Sequence, residues 1–195
     1  MIVVNRGRGL VVAVGLLGVL AAGCSGSGTL APTAAPTAQA SATTRASTPT
    51  PADTDPRRCD TPELRGTLGN AEGAAGSVEQ TLILTNIGTR TCELRGFPGV
   101  SYVAGADGHQ VGPAAAMSGA RGSEIVLAPG KAAGAPMKLV NVQNFDAPVC
   151  RPTPVLGLRI YPPGATASLY VERAGTGCAG TPPGDQISVQ TLKAQ

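Results

Sequence analysis

Apolar and polar side chains alternate with a period of two residues along most of the chain after Thr61. The longest such segment covers residues 78–86, where Val78, Gln80, Leu82 and Leu84 share one face. This period, with β-branched residues on the opposite face, is typical of a half-buried β-strand. We therefore predict a strand over residues 78–86.

Shorter segments with the same alternation follow, and turn residues separate them. Asp107-Gly108 predicts a hairpin, because both residue types tolerate positive φ angles. No window of a dozen residues shows a helical period clear of glycine and proline. The apolar positions of the further predicted strands are Cys92 and Leu94; Val100, Tyr102 and Ala104; Ile125 and Leu127; Ala133, Ala135, Met137 and Leu139; Leu156, Leu158 and Ile160; Leu169 and Val171; Ile187 and Val189.

About eight or nine short strands joined by turns indicate an all-β fold, specifically an antiparallel, immunoglobulin-like β-sandwich. A sheet closed on itself is the alternative, because a count of strands does not determine closure. Residues 57–195 have a length that suits one domain with one core.

The N-terminus has the pattern of a lipoprotein signal peptide. Arg6 and Arg8 precede an apolar and glycine run over residues 9–23, and Leu20-Ala21-Ala22-Gly23-Cys24 has the form of a lipobox. That run is shorter than the roughly 20 apolar residues that span a bilayer. We predict that a signal peptide of residues 1–23 is removed and that acyl chains such as palmitate on Cys24 hold the protein to the extracytoplasmic face of the cell membrane.

Residues 24–56 join the predicted lipidated cysteine to the predicted domain. Alanine, threonine, serine and proline dominate them, and large apolar side chains are almost missing. Such a segment buries too little surface to offset the entropy lost on ordering. We predict a disordered linker whose threonine and serine residues beside proline also suit O-glycosylation.

The formal net charge is +3, and removal of Arg6 and Arg8 with the signal peptide would leave +1. Lysine and arginine are scattered, with no run longer than Arg57-Arg58. A basic stripe typical of nucleic-acid binding is not visible in the sequence. Nucleic acid is therefore not expected as a partner, and a polybasic membrane-binding surface is not indicated either.

Cys59, Cys92, Cys150 and Cys178 form an even set in a domain that is expected to be exported. An oxidising compartment favours disulfides, whereas zinc is disfavoured because no Cys-x-x-Cys pair and only one histidine are present. Four cysteines allow three connectivities. We favour Cys59–Cys92 and Cys150–Cys178, because pairs that are close in sequence brace neighbouring strands and close loops of moderate length.

No constellation of catalytic, cofactor-binding or metal-binding residues is visible in the sequence. His109 follows the Asp107-Gly108 turn, and no Gly-x-Ser-x-Gly motif accompanies it. The glycine-rich residues 73–77 lack the Lys-Ser/Thr ending of a phosphate loop and precede a strand, so a tight connection is expected. The carboxylates are dispersed along the sequence, so a catalytic pair of carboxylates that only the fold brings together stays possible.

Several turn and cysteine motifs together resemble a known family. They are Gly73-Ala74-Ala75-Gly76-Ser77, Leu84-Thr85-Asn86-Ile87-Gly88, Leu127-Ala128-Pro129-Gly130, Cys150-Arg151-Pro152, Pro162-Pro163-Gly164 and, most specifically, the Thr-Cys-x-Leu-x-Gly-Phe-Pro-Gly stretch that begins at Thr91. Over about residues 59–192 the chain resembles the actinobacterial exported domain of unknown function DUF4232, often found on lipoproteins. The resemblance implies an all-β, disulfide-bearing envelope domain and supplies no catalytic residues.

These observations favour a lipid-anchored envelope protein that binds or scaffolds an unknown envelope protein or cell-wall ligand and is not an enzyme. The exposed loops 113–122 and 140–147 are the expected recognition segments, because loops carry recognition on rigid scaffolds. Two alternatives stay open. Carboxylates clustered in a cleft would favour a hydrolase that acts on the cell wall or on glycans, and an apolar cavity of several hundred Å³ would favour a carrier of a small apolar ligand.

Overall fold

The structure is a computed structural model that describes residues 55–195. Cys24, the predicted signal peptide and most of the predicted linker lie outside these residues. The described part contains twelve β-strands and little helix, which confirms the all-β prediction.

The strands are β1 (Leu64–Ala74), β2 (Ser77–Asn86), β3 (Cys92–Leu94), β4 (Gly99–Ala104), β5 (His109–Val111), β6 (Ala116–Ser118), β7 (Ile125–Leu127), β8 (Ala132–Val140), β9 (Pro152–Tyr161), β10 (Leu169–Cys178), β11 (Ile187–Gln190) and β12 (Lys193–Ala194). Two 3-10 turns cover Thr61–Glu63 and Val142–Asn144, and the four-residue helix α1 covers Ala147–Cys150.

Two main sheets and a short ribbon carry these strands. The first sheet has the order β1-β2-β8-β11-β6, and β12 also pairs with β8; the second has the order β10-β9-β4-β5; the ribbon pairs β3 with β7. All pairings are antiparallel except that of β11 with β6. The predicted sandwich is therefore present, with one parallel pair at the edge of its first sheet.

One apolar core fills the space between the two main sheets. Leu82 and Leu84 of β2 enter it from the first sheet, and Leu158 and Ile160 of β9 enter it from the second, all without solvent exposure. Each such side chain contributes roughly 1.5–3 kcal/mol when it leaves water. Alternation along the strands thus places the predicted apolar faces of β2 and β9 against each other.

The structure differs from the sequence prediction in two respects. Twelve strands replace the expected eight or nine, because β5, β6 and β12 are only two or three residues long and β1 is rich in glycine. In β9, Val155 is buried whereas Leu156 is half exposed, so the predicted inward position of Leu156 is wrong. The regular pairing is interrupted at this point, because two residues of β10 lie opposite Leu156 alone.

The fully buried Asn86 holds the end of β2 to three neighbouring segments. Its side-chain amide donates to the carbonyls of Arg90 (2.9 Å) and Leu127 (2.8 Å), and its Oδ1 accepts from the N–H of Gly88 (2.9 Å). Its backbone N–H donates to Lys131, and its carbonyl accepts from Gly130. Every polar group of Asn86 is therefore paired inside the core.

A bidentate ion pair fixes the segment that leads into β1. Arg90 donates from Nε to Glu63 Oε1 and from Nη2 to Glu63 Oε2, both at 2.7 Å. The same guanidinium donates to the carbonyls of Pro56 (2.8 Å) and Arg58 (2.6 Å). The Cys59–Cys92 disulfide, with its Cα atoms 4.8 Å apart, ties this segment covalently to β3.

The second disulfide, Cys150–Cys178, joins α1 to the end of β10 and completes the predicted pairing. Both cysteines form a small second core with Val142, and Phe145 packs against it. Buried Gln186 closes this end of the molecule, because its side chain accepts from the Cys178 N–H (2.8 Å) and donates to the Cys178 carbonyl (3.1 Å).

We predict that Asn86→Ala lowers the free energy of unfolding by about 2 kcal/mol or more. It leaves the buried hydrogen bond to the Leu127 carbonyl unmade, together with the part-buried ones to the Arg90 carbonyl and from the Gly88 N–H. Chemical denaturation of the full-length chain measures this loss. Asn70→Ala, at an exposed asparagine of β1, is the matched control and should change stability by no more than about 0.5 kcal/mol. Equal stability of the two variants would contradict the role given to Asn86.

We predict a pH-dependent contribution from Glu63. Hydrogen bonds from the Asp60 N–H and from Arg90 lower the pKa of Glu63 below its ordinary value of 4.5. Because the native pKa is depressed, the stabilisation is present above pH 4.5 and is lost as the pH falls through the native pKa. The stability difference between the wild type and Glu63→Gln should therefore shrink as the pH falls from neutral.

Denaturation series at several pH values measure this difference. Asp55 and Asp107 also have lowered pKa values, but both are present in the two proteins and cancel in the comparison. Glu172→Gln, at an exposed carboxylate, is the control and should show no such convergence with the wild type. A pH-independent difference between wild type and Glu63→Gln would refute the assignment.

Candidate functional site

A pocket of about 260 Å³ opens between the two main sheets, and we call it the mouth pocket. Val78 of β2 and Tyr102 of β4 line it from opposite sheets. Residues 139–143, from the end of β8 into the following 3-10 turn, form one wall, and residues 173–176 of β10 form the other. The pocket therefore draws on both sheets and on the predicted recognition loop 140–147.

Two irregular strands meet beside this pocket. The pairing of β1 with β2 shifts between Leu68 and Ala71, and that of β10 with β9 shifts between Glu172 and Gly175. Such bulges bend a strand and re-aim its side chains. In β10, the bulge includes Arg173, which lines the pocket.

Gln80 connects the two bulges across the sandwich. Its Nε2 donates to the carbonyl of Gly69 in the β1 bulge at 3.0 Å, and its Oε1 accepts from Arg173 Nε at 3.1 Å. The Gln80 amide thereby pairs with a backbone carbonyl in the β1 bulge. It also fixes the orientation of Arg173, which comes from the opposite sheet.

Arg173 keeps both terminal amino groups available as donors. Its only side-chain hydrogen bond within residues 55–195 is the one from Nε to Gln80, and it takes part in no ion pair there. The lining of the mouth pocket includes no carboxylate. A guanidinium held in this way presents a planar pair of donors that matches a carboxylate group.

Tyr102 supplies a second donor next to Arg173. The residue is 3% exposed, and it lines the mouth pocket together with Arg173. Burial raises the pKa of Tyr102, and the positive charge of Arg173 opposes that rise without cancelling it. The phenol therefore stays protonated at neutral pH and is available as a neutral hydrogen-bond donor.

The wall formed by residues 139–143 is held from outside the pocket. The N–H of Asn141 donates to the carbonyl of Gly76 at 3.0 Å, and the side chain of Asn144 donates to the same carbonyl at 2.7 Å. Gly76 has a φ of +70°, and Asn144 lies where a Cβ would project. The glycine-rich residues 73–77 therefore form the tight β1–β2 connection that the sequence predicts.

His109 does not line the mouth pocket. It lies at the start of β5, after the predicted hairpin turn. Its Nδ1 is 2.8 Å from Asp107 Oδ1, and both side chains are exposed. Hydrogen bonding to His109 lowers the pKa of Asp107. The structure thus gives His109 a carboxylate partner two residues away, within the same turn.

A carboxylate pair does lie in a groove on the outer face of the first sheet. Glu72 and Glu79 are direct partners across β1 and β2, and both line a groove of about 280 Å³ together with Lys138. Both glutamates are solvent-exposed. No group of three or more histidine, cysteine, aspartate or glutamate side chains suited to a metal ion occurs among residues 55–195.

The sequence pattern does not indicate Arg173, Gln80 or Tyr102 as site residues. One indication was present, since Gln80 is a polar residue on the otherwise apolar face predicted for residues 78–86. The bulge that aims Arg173 is invisible in the sequence, because it depends on the pairing of β10 with β9.

The fold and pocket define a disulfide-bonded β-sandwich with a polar cleft between its sheets. The chain belongs to the family described as Domain of unknown function (DUF4232), whose family model matches residues 59–193. This confirms the resemblance found in the sequence. Neither the curated proteins nor the solved structures contain a match to the chain.

The helical segments between residues 55 and 195 are too short to cross a membrane.

Proposed function

We propose that this protein is a lipid-anchored component of the cell envelope whose β-sandwich binds a ligand through a carboxylate group in the mouth pocket. The proposed anchor rests on the lipobox at Cys24 and the linker that follows it. The proposed binding role rests on Arg173, which is oriented by Gln80 and has no acidic partner within the described residues.

The chemistry of the pocket favours a small aliphatic acid or the free C-terminus of a short peptide. Arg173 would donate hydrogen bonds from its terminal amino groups to the two carboxylate oxygens, and Tyr102 would donate a further hydrogen bond. Val78 and Leu139 offer aliphatic surface beside these donors. A volume of about 260 Å³ suits a small group and excludes a bulky one.

Binding has better support than the two alternatives. A hydrolase would need one carboxylic acid with a pKa raised by burial, and Glu72 and Glu79 are both exposed on an open sheet face. A carrier of an apolar ligand would need an enclosed, largely apolar cavity. The groove of about 470 Å³ beside β7 and β12 is open to solvent and has the charged residues Glu124 and Lys193 in its lining. The mouth pocket instead places a charged guanidinium in its lining.

We predict that the full-length protein binds acetyl-alanyl-alanine more tightly than the same dipeptide with an amidated C-terminus. Arg173→Gln should weaken binding of the acid about tenfold or more, because a charge-assisted hydrogen bond contributes about 1.5–3 kcal/mol. Isothermal titration calorimetry measures both affinities.

Arg65→Gln is the matched control, since Arg65 is an exposed arginine on the outer face of β1. It should leave the affinity for the acid unchanged. Equal affinity for acid and amide, or wild-type affinity in Arg173→Gln, would rule out the proposed site.

We predict that the mature protein begins at Cys24 and carries at least two acyl chains, because a single chain gives only marginal membrane binding. Intact-mass measurement of protein extracted from cells tests this. Cys24→Ala should abolish acylation and shift the protein out of the detergent phase, whereas Ser25→Ala, beside it, should not. An unmodified Cys24 with residues 1–23 still attached would overturn the anchoring proposal.

A further inference from the structure

A second cleft, of about 260 Å³, lies beside the Cys59–Cys92 disulfide and shares no lining residue with the mouth pocket. Four arginines from three separate segments line it, namely Arg57 and Arg58, Arg95, and Arg121, and we call it the arginine cleft. Its lining also includes the carboxylates of Asp55, Glu93 and Glu124. The fold thus assembles a group of guanidinium ions that the scattered basic residues of the sequence did not indicate.

Two tight turns make room for these arginines. Gly96 has a φ of +101°, and a Cβ there would lie 3.0 Å from Arg121 Nε. Gly164 has a φ of +76°, and a Cβ there would overlap Arg58 Nη1. Arg58 also donates to the carbonyl of Pro163 at 3.3 Å. Glycine at both turns therefore leaves the space in which an arginine side chain lies against the backbone.

The same turns belong to the motifs that carry the family resemblance. Gly96 lies within the Thr-Cys-x-Leu-x-Gly-Phe-Pro-Gly stretch, and Gly164 ends Pro162-Pro163-Gly164. The register of β4 with β9 pairs Gly99 with Tyr161, which brings the two turns side by side. Neither motif contributes a residue to the lining of the mouth pocket.

The carboxylates of the cleft are unevenly distributed among the arginines. Arg57 pairs with Asp55 at 3.1 Å and with Glu93 at 3.5 Å, so its charge is already matched. Arg58, Arg95 and Arg121 take part in no ion pair among residues 55–195. Four arginines and three carboxylates give the lining a net charge of +1. The third carboxylate, Glu124, also takes part in no ion pair among the described residues, so the three unpaired arginines outnumber it.

We propose that the arginine cleft binds a phosphate group. Three exposed guanidinium ions without ion partners in the described residues surround a space large enough for a tetrahedral anion. Each guanidinium offers several donors in fixed geometry, which suits the several oxygens of a phosphate better than the two of a carboxylate. The small excess of positive charge leads us to expect millimolar affinity, weakened by salt.

Calorimetric titration of the full-length protein with inorganic phosphate tests this site. The double variant Arg95→Gln/Arg121→Gln should lose at least about tenfold in affinity, since it removes two charge-assisted contacts. Both side chains are exposed, so thermal unfolding should show an intact fold. Arg65→Gln is the control and should bind phosphate like the wild type. Arg173→Gln is titrated as well, and any phosphate binding that it loses is assigned to the mouth pocket.

A second titration identifies the source of the phosphate. Tighter binding of short-chain phosphatidylglycerol than of inorganic phosphate would support the site and assign it to lipid headgroups. Inorganic phosphate bound equally well or better would support it as a site for soluble phosphate. Binding retained by the double variant, or no binding of either probe by the wild type, would overturn the proposal. Because Arg173→Gln is titrated in parallel and the two sites share no lining residue, phosphate bound in the mouth pocket is distinguished from phosphate bound in the arginine cleft.

Discussion

The pairing of every polar group of Asn86 is the constraint on which the rest of the structure depends. A β-sandwich needs its loops to cross the ends of the core without leaving backbone groups unpaired in the interior. Asn86 resolves this at the end of β2, because one side chain serves the Arg90 and Leu127 carbonyls and the Gly88 N–H. The loop so fixed carries Arg90, whose ion pair with Glu63 then holds the segment leading into β1.

The mouth pocket lies beside the two places where the regular pairing of strands is interrupted, one between β1 and β2 and the other between β9 and β10. Extra residues in β1 and β10 release backbone groups and turn side chains away from their regular positions. Gln80 contacts both bulges, since its side chain donates to the Gly69 carbonyl and accepts from Arg173. The Cys150–Cys178 disulfide supports the opposite wall through Val142. The guanidinium of Arg173 is tolerated at the mouth of the sandwich because the residue is part-exposed and its Nε is paired with Gln80 of β2.

The sequence predicts much of the fold and little of the site, for a physical reason. Alternation in residues 78–86 and the turn at Asp107-Gly108 are local properties, and so is the spacing that favoured Cys59–Cys92 and Cys150–Cys178. Bulges are properties of strand pairs, so the phase change at Leu156 and the position of Arg173 could not be derived from one strand alone. The arginine cleft is still less predictable, because three separate turns bring Arg58, Arg95 and Arg121 together.

The two proposed sites are built for weak binding, and the proposed tether makes weak binding sufficient. Each site offers a few charged donors at partly open positions, which favours millimolar rather than nanomolar affinity. A domain anchored through a linker of about 30 residues stays within a few nanometres of the membrane surface. Confinement to this volume raises the effective concentration of envelope ligands to the millimolar range. The proposed lipid anchor and the proposed polar sites are therefore complementary, because such an anchor would supply the concentration that the sites require.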